Sequence, residues 1–216
     1  MISNNIQIIN NNIIKYSTSS LFNKNIKIIA VSKGINESKI IEAIKNNITN
    51  FGENYLQEAE EKWINLKKIY PFIKLHFIGK IQTNKLVKIL NLFDYIHTID
   101  NIKTADKILS ILTKNPAYKE KKFFIQINYT PYKNNKNGIS IENINNLIEY
   151  CKIIKLPING LMCMSNNGID DFKKTYELSK IYNLQNLSMG MSDDYIEAIK
   201  NGSTYLRIGK KIFQEN

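Results

Sequence analysis

The sequence of this chain contains eight short apolar segments of strand-forming residues, separated by amphipathic helical segments. The predicted strands cover residues 28–33, 49–54, 74–79, 95–99, 123–128, 158–164, 187–192 and 205–209. The predicted helices cover residues 37–47, 56–70, 84–92, 103–113, 141–154, 170–182 and 193–200. Strands joined through helices are parallel, and they form either a doubly wound sheet or a closed barrel. Eight units in a chain of this length favour a single-domain (β/α)8 barrel of the α/β class.

One domain is expected to take up residues 1–216, because such barrels reach this length as single units and no linker-like segment interrupts the pattern. A further amphipathic helix is predicted before the first strand, over about residues 2–22. The active groups of these barrels lie at the C-terminal ends of the strands. We therefore looked for candidate site residues at those ends.

The first predicted strand ends in Lys33, directly after the apolar run Ile28–Val31 and Ser32. A lysine whose stem lies among apolar neighbours loses its proton more readily, and its free amine can attack an aldehyde. The simpler alternative is that Lys33 only marks the end of the strand and points to solvent. Position alone favours this simpler alternative, because many strands end in lysine.

Several hydrogen-bonding residues and two glycines are predicted at the same rim of the barrel. They are Lys33, Asn54, Gly79, Asn128, Ser165, Ser192, Arg207 and Gly209. This set suits a small anionic ligand that carries a carbonyl group. Ser192 and backbone N–H groups near Gly209 can surround a phosphate. Ser192 can equally be the N-cap of a helix beginning at Asp193, and Asp193 and Asp194 would repel a phosphate.

Arginine occurs once, as Arg207, among 30 basic residues, so the other 29 are lysines. A single arginine retained in such a composition indicates a position that needs a planar guanidinium group. The formal net charge of +11 would ordinarily suggest a nucleic acid or an anionic membrane as partner. The lysines are scattered along the whole chain, however, so we expect neither partner.

Other residue types exclude several kinds of site. Cys151 and Cys163 are too few and too far apart for a disulfide scaffold or a zinc site, which fits a reduced, cytoplasmic setting. His76 and His97 lie inside strand patterns and are expected to be hydrogen-bonded core residues, with no metal site. No apolar run has the length of a membrane span, and no signal peptide is evident.

A series of longer motifs occurs in one order along the chain. The motifs are Ala30-Val31-Ser32-Lys33, Phe51-Gly52-Glu53-Asn54-Tyr55 with Gln57-Glu58, His76-Phe77-Ile78-Gly79 with Gln82 and Asn84-Lys85, His97-Thr98-Ile99-Asp100, Gln126-Ile127-Asn128, Lys136-Asn137-Gly138, Gly160-Leu161-Met162, Leu187-Ser188-Met189-Gly190-Met191-Ser192, and Arg207-Ile208-Gly209 with Ile212-Phe213. With them the chain closely resembles the pyridoxal phosphate homeostasis proteins from the first strand to the C-terminus.

The resemblance implies a barrel like the N-terminal domain of alanine racemase (fold type III), with pyridoxal 5′-phosphate (PLP) as cofactor. It implies that Lys33 is the Schiff-base lysine and that Arg207 faces the pyridine nitrogen. Ser192 and the backbone after Arg207, at Gly209, would hold the phosphate, and Asn54 would lie near the ring.

The chain departs from the family pattern at three places. Lys210 stands where the family has threonine or a small residue, so Lys210 is expected to supply charge to the phosphate. Gly34 replaces a bulkier residue, and the end reads Gln214-Glu215-Asn216 instead of glycine and arginine. These changes affect the side-chain part of the phosphate site and leave Lys33 and Arg207 in place.

The resemblance also implies a function without turnover. Arginine is a hydrogen-bond donor only, so the pyridine nitrogen facing it must be an unprotonated acceptor, and such a ring is a poor electron sink. We expect a monomeric carrier that buffers PLP, a form of vitamin B6, and passes it to apoenzymes. The alternative is a fold-type III racemase or lyase, for which the predicted elements supply no second, β-rich domain with a catalytic tyrosine. A nucleic-acid-binding module, suggested only by net charge, ranks last.

Overall fold

The structure, a computed structural model, describes residues 1–17, 25–130, 137–165 and 168–214. The strands are β1 Lys27–Val31, β2 Asn50–Glu53, β3 Lys74–Phe77, β4 Tyr95–Ile99, β5 Lys122–Asn128, β6 Ile139–Ser140, β7 Ile158–Cys163, β8 Asn186–Ser188 and β9 Tyr205–Ile208. The helices are α1 Ile2–Ser17, α2 Glu37–Lys45, α3 Leu56–Ile69, α4 Leu86–Leu92, α5 Ile102–Lys114, α6 Ile144–Ile153, α7 Ile169–Ile181, α8 Tyr195–Lys200 and α9 Lys210–Phe213. Short 3₁₀ turns lie at Thr83–Lys85 and Pro116–Tyr118.

Eight of the strands close into a barrel. Their order is β4-β3-β2-β1-β9-β8-β7-β5, and a further pairing of β4 with β5 joins the two ends of this series. Every pairing is parallel. Within the barrel, a helix lies between each strand and the next along the chain and returns the chain to the same end of the sheet. The predicted barrel is therefore confirmed, and the doubly wound alternative is wrong.

One strand was not predicted. β6 has only two residues and pairs with the end of β5, outside the closed ring, where Ile127 lies opposite Ile139. Two residues are too few to produce a recognisable alternation of apolar and polar positions. Because β6 and a turn precede it, α6 begins three residues later than the predicted start at residue 141. Much of the predicted loop before β6, residues 131–136, lies outside the described residues.

The N-terminal helix packs with its apolar face on the outer helices of the barrel. Ile2, Ile6 and Ile9 are buried, and α1 contacts α2, α8 and α9. The side-chain amide of Asn5 donates a hydrogen bond to the Ile212 carbonyl at 3.2 Å, which ties α1 to α9. The prediction of a helix from residue 2 is confirmed as far as Ser17, and residues 18–22 of the predicted helix lie outside the described ranges.

The barrel interior contains two histidines stacked between aromatic rings. His76 Nδ1 and His97 Nε2 lie 2.9 Å apart, and His76 stacks on Tyr95 while His97 stacks on Phe124. Burial lowers the pKa of both imidazoles well below 6.5, so both are neutral. The prediction that they are hydrogen-bonded core residues is confirmed. Among the described residues no group of three or more His, Cys, Asp and Glu could hold a metal ion.

None of the helices in the described part of the chain combines the length and the apolarity needed to cross a bilayer. The two cysteines are buried free thiols in the core. Burial raises the pKa of each thiol to about 11, so both are protonated near neutral pH.

Candidate functional site

A cavity of about 320 Å³ lies at the C-terminal ends of β1, β7 and β9. All six residues predicted to bind the cofactor line it. The lining residues are Val31, Lys33, Asn54, Ile78, Met162, Met164, Met191, Ser192, Asp193, Arg207, Gly209 and Lys210. A larger groove of about 460 Å³ lies at the start of α4 and along α5, and it contains none of the six.

Lys33 stands on a tight turn that follows β1. The amide of Ile35 donates to the Ser32 carbonyl at 3.0 Å, and Gly34 has a φ of 69°, a conformation that favours glycine. Lys33 is exposed at the cavity, so the buried stem expected from the sequence is absent. The turn places the amine at the mouth of the cavity.

Arg207 is buried in the wall of the cavity with only 4% of its surface exposed. Its Nη1 donates to the Ser188 hydroxyl at 2.9 Å, and its Nη2 donates to the Cys163 carbonyl at 2.7 Å. Burial lowers the pKa of this guanidinium from its ordinary value, with Cys163 and Asp194 acting in the opposite direction. Two bonds to the neighbouring strands β7 and β8 fix the plane of the guanidinium group.

Ser192 does not cap α8, contrary to one of the two roles predicted for it. That helix begins at Tyr195 with Asp194 as its cap residue, and the Asp194 carboxylate accepts the Met191 amide at 2.5 Å. The buried Ser192 hydroxyl instead accepts a long hydrogen bond, 3.4 Å, from the amide of Lys211. Ser192 thus lies against the turn that starts α9.

Gly209 lets the end of β9 approach β1 closely. A Cβ atom at this position would lie 3.2 Å from the Val31 carbonyl oxygen and 3.4 Å from the Val31 Cβ, which is tighter than side chains normally pack. This approach brings Gly209 and Lys210 to the same cavity as Lys33, which follows β1. Lys210 itself is exposed.

Asn54 follows β2, and its backbone is in close contact with Gly79. A Cβ atom at Gly79 would lie 1.8 Å from the Asn54 carbonyl oxygen, so only glycine fits there. The Oδ1 atom of Asn54 is buried and has no hydrogen-bond partner among the described residues. A buried acceptor in this state can receive a hydrogen bond from a ligand or from water.

Three of the predicted rim residues do not line the cavity. Gly79 supports Asn54 from behind, Asn128 accepts the amide of Thr130, and the Ser165 hydroxyl donates to the Gly168 carbonyl. No sequence pattern marked the three methionines in the lining, Met162, Met164 and Met191, as site residues, because apolar residues in strands are usually core.

Glu53 and Glu58, expected to be paired or solvated, share one partner, Lys62. The Lys62 ammonium lies 2.7 Å from Glu53 and 2.8 Å from Glu58, and Glu53 is completely buried. Glu58 and Lys62 are four residues apart on α3, a spacing that indicates an ion pair and could have revealed this contact. Both carboxylates also bond to the turn that carries Lys33.

The chain is similar to several pyridoxal phosphate homeostasis proteins. It is 39% identical over 208 residues to that of Buchnera aphidicola subsp. Schizaphis graminum, with 88% of this chain and 87% of the relative covered. It is 34% identical to that of Vibrio alginolyticus, with 88% and 86% covered, and 36% identical to that of Homo sapiens, with 88% and 76% covered. No protein-family model matches the chain.

Solved structures show the same fold. PipY of Synechococcus elongatus PCC7942, solved without PLP, has a TM-score of 0.82 at 27% identity and covers 99% of this chain and 100% of its own. PipY solved with PLP bound has a TM-score of 0.81 at 26% identity. Alanine racemase from Acinetobacter baumannii has a TM-score of 0.71 at 16% identity, and 60% of that chain is covered. At this identity the racemase shows the fold alone.

Proposed function

We propose that this chain, which belongs to the pyridoxal phosphate homeostasis protein family, binds PLP in the Lys33 cavity and holds it covalently without turning over a substrate. The observation that carries the proposal is the convergence of Lys33, Arg207, Ser192 and Lys210 on one cavity. The names of the relatives and the PLP bound to PipY support the choice of ligand.

The residues present suit PLP in size and in chemistry. A volume of about 320 Å³ lies at the small end of the range for small-molecule pockets. Apolar side chains, among them Met162 and Ile78, provide contacts for an aromatic ring. The unpartnered Oδ1 of Asn54 can accept a hydrogen bond from the ligand or its water. Asp193, which follows Ser192 in the chain, also lines the cavity, and its carboxylate opposes an anion there, whereas Lys210 offsets that charge.

PLP would supply a reactive aldehyde, and Lys33 would be the residue that attaches to it: a C=N bond to the amine nitrogen would replace the C=O bond, and the oxygen would leave as water with two protons from the amine. Lys33 lies in the cavity and carries a primary amine. It stands on the turn that follows β1. The turn holds its main chain, and the exposed side chain has room to reach the ligand. This geometry supports Lys33 as the point of attachment.

Arg207 holds the ring and restrains its chemistry. Its guanidinium can only donate hydrogen bonds, and two of its N–H groups donate to the Ser188 hydroxyl and the Cys163 carbonyl. A ring nitrogen placed against the remaining donors must accept a hydrogen bond and stays unprotonated. That arrangement favours storage of the cofactor over reactions that need a strong electron sink.

Ser192, Gly209 and Lys210 form the proposed phosphate side of the cavity. The Ser192 hydroxyl can donate to an anion while it accepts the Lys211 amide. Gly209 has no Cβ to collide with Val31, so the end of β9 can approach β1 and bring its backbone to the cavity. Lys210 adds a positive charge at the point where the family has a small residue.

Borohydride reduction of protein mixed with PLP tests the proposal directly. We expect a mass increase on the peptide that contains Lys33 and on no other peptide. The variant Lys33→Ala should lose the adduct, whereas Lys45→Ala, which removes an exposed lysine on α2 outside the cavity, should retain it. Wild-type protein that gives no adduct, or an adduct that survives Lys33→Ala, contradicts the proposal.

The remaining parts of the proposal concern the setting. We infer that residues 1–216 act as one PLP-binding unit, as a monomer in the cytoplasm, and that apo PLP-dependent enzymes receive the cofactor. Transfer is tested by mixing the loaded protein with an apoenzyme of this class and following the recovery of that enzyme's activity. The racemase or lyase alternative predicts exchange of the α-proton of amino acids in deuterated water, and we expect none.

A further inference from the structure

We propose that Glu53, Glu58 and Lys62 form a clamp on the turn that carries Lys33, and that this clamp sets how fast the amine captures PLP. We call these three residues the turn clamp. The inference rests on the proposed function for its kinetic consequence, but the clamp itself is a property of the chain without ligand. The three residues are positioning residues, because their polar atoms bond to the turn and not to the cavity.

The clamp holds the residue before Lys33 at two atoms. The Ser32 hydroxyl donates to Glu53 Oε1 at 2.8 Å, and the Ser32 carbonyl accepts from Lys62 Nζ at 2.7 Å. Ser32 is completely buried, so water does not compete for these bonds. The end of β1 is therefore fixed to α3 immediately before the lysine.

The clamp holds the residue after Lys33 at one atom. The amide of Gly34 donates to Glu58 Oε1 at 2.5 Å. Gly34 has a φ of 69°, and a Cβ at this position would meet nothing within 4 Å, so packing does not restrain it. A glycine in open space has more backbone freedom than any other residue. The bond to Glu58 and the turn bond from the Ile35 amide to the Ser32 carbonyl thus restrain this side of the turn, and the Glu58 bond is the one that a side chain supplies.

Lys62 joins the two halves of the clamp. Its ammonium has three hydrogens, and its three acceptors are Glu53 at 2.7 Å, Glu58 at 2.8 Å and the Ser32 carbonyl. The indole of Trp63 adds a fourth anchor by donating to Glu53 at 3.0 Å. Glu53 lies on β2 and the others on α3, so the clamp is built on regular elements instead of loops.

The side chain of Lys33 makes no hydrogen bond or ion pair with any described residue. Hydrogen bonds of the neighbouring residues Ser32 and Gly34 therefore set the position of Lys33 through its main chain. A flexible amine reacts faster when its attachment point is held, because fewer arrangements must be searched before it meets the aldehyde. Bonds on both sides of Lys33 hold that attachment point. Loss of the Gly34 bond should therefore slow capture of PLP without removing the amine.

The experiment compares Glu58→Ala with Glu58→Gln. Both variants lose the negative charge and the ion pair with Lys62, but only glutamine keeps an oxygen that can accept the Gly34 amide. We expect Glu58→Ala to slow the covalent attachment of PLP to Lys33 by about tenfold or more, and Glu58→Gln to stay within about twofold of wild type. The rate is followed by stopped-flow absorbance and by the borohydride-trapped mass. Glu197→Ala, which breaks an exposed ion pair with Lys200 on α8, is the control and should leave the rate unchanged.

Amide hydrogen exchange of Gly34 in protein without PLP is the second measurement. We expect protection of this amide in wild type and in Glu58→Gln, and its loss in Glu58→Ala. Ser32→Ala tests the other side of the turn and should also slow attachment. Equal rates in all variants, or equal slowing by Glu58→Ala and Glu58→Gln, would overturn the inference. Wild-type protein that shows the protected amide but no adduct would overturn the proposed function and leave the clamp standing.

Discussion

Replacing Lys62 by methionine should destabilise the protein more than replacing any exposed lysine, because it leaves the Glu53 carboxylate buried without a cation. Glu53 has 0% of its side chain exposed, and Lys62 has 13%. Removing one partner of a buried pair costs about 3–5 kcal/mol, since the remaining charge can neither reach water nor find another cation. For a chain of this size, that corresponds to a fall in Tm of about 6–20 °C.

Lys67 on the same helix provides the matched control. It forms an ion pair of 2.8 Å with Asp94, but both side chains are about a quarter exposed, at 25% and 24%. Solvent screens such a pair, so Lys67→Met should cost only about 1 kcal/mol. The assay is urea denaturation followed by tryptophan fluorescence, which reports on Trp63 beside Glu53.

A double variant separates the buried charge from the lost packing of the lysine stem. In Lys62→Met with Glu53→Gln, the buried charge at position 53 is gone, the partly exposed Glu58 carboxylate is unpaired just as in Lys62→Met alone, and the amide oxygen can still accept from Ser32 and Trp63. This protein should be more stable than Lys62→Met alone, which is the sign of a coupled pair. The reasoning is refuted if Lys62→Met costs no more than Lys67→Met, or if the added Glu53→Gln change lowers the stability further.

Three further predictions follow from the described residues. Burial holds the pKa of His76 and His97 well below 6.5, so at mildly acidic pH the unfolded chain binds protons at these histidines and the folded chain does not. The free energy of unfolding, measured in urea titrations, should therefore decrease as the pH is lowered from about 7 to about 5. A flat profile contradicts this. Gly79→Ala would place a Cβ 1.8 Å from the Asn54 carbonyl oxygen, so it should destabilise by about 1–3 kcal/mol or more in thermal melts and weaken PLP binding in titrations. The buried Cys163 thiol, with its pKa raised to about 11, should react with an aromatic disulfide reagent only after unfolding, and fast labelling of the native protein would be inconsistent with that burial.

The sequence predicted the barrel well because eight strand patterns and their helices are local features of the chain. Each strand has enough apolar residues to be recognised by itself, and chain length then favours closure. Elements shorter than about one turn or one alternation escaped prediction, as β6 and α9 show. Their existence depends on neighbours: β6 pairs with the end of β5, and α9 packs against α1.

The residues that line the candidate site were predicted, whereas the residues that hold them in place were not. Family motifs identified Lys33 and Arg207, and the barrel brings them to one cavity. The role of Ser192 was misjudged in one alternative because helix starts are uncertain by two residues and the cap is Asp194. Lys62 was missed because its contacts with Ser32 and Glu53 join residues 30 and 9 positions apart, which no local pattern reveals.

The two buried cations of this site show why one arginine remains among so many lysines. Lys62 is largely buried where two carboxylates are available, and a lysine can stay charged in that environment because each partner offsets its loss of hydration. Arg207 is buried where its hydrogen bonds go to a serine hydroxyl and a backbone carbonyl, both neutral. A lysine in that place would readily give up its proton, whereas a guanidinium stays protonated because its charge is delocalised and weakly hydrated. The single arginine of the chain therefore occupies a buried position whose hydrogen-bond partners are neutral and where Asp194 and Cys163 favour its charge without forming a described ion pair with it.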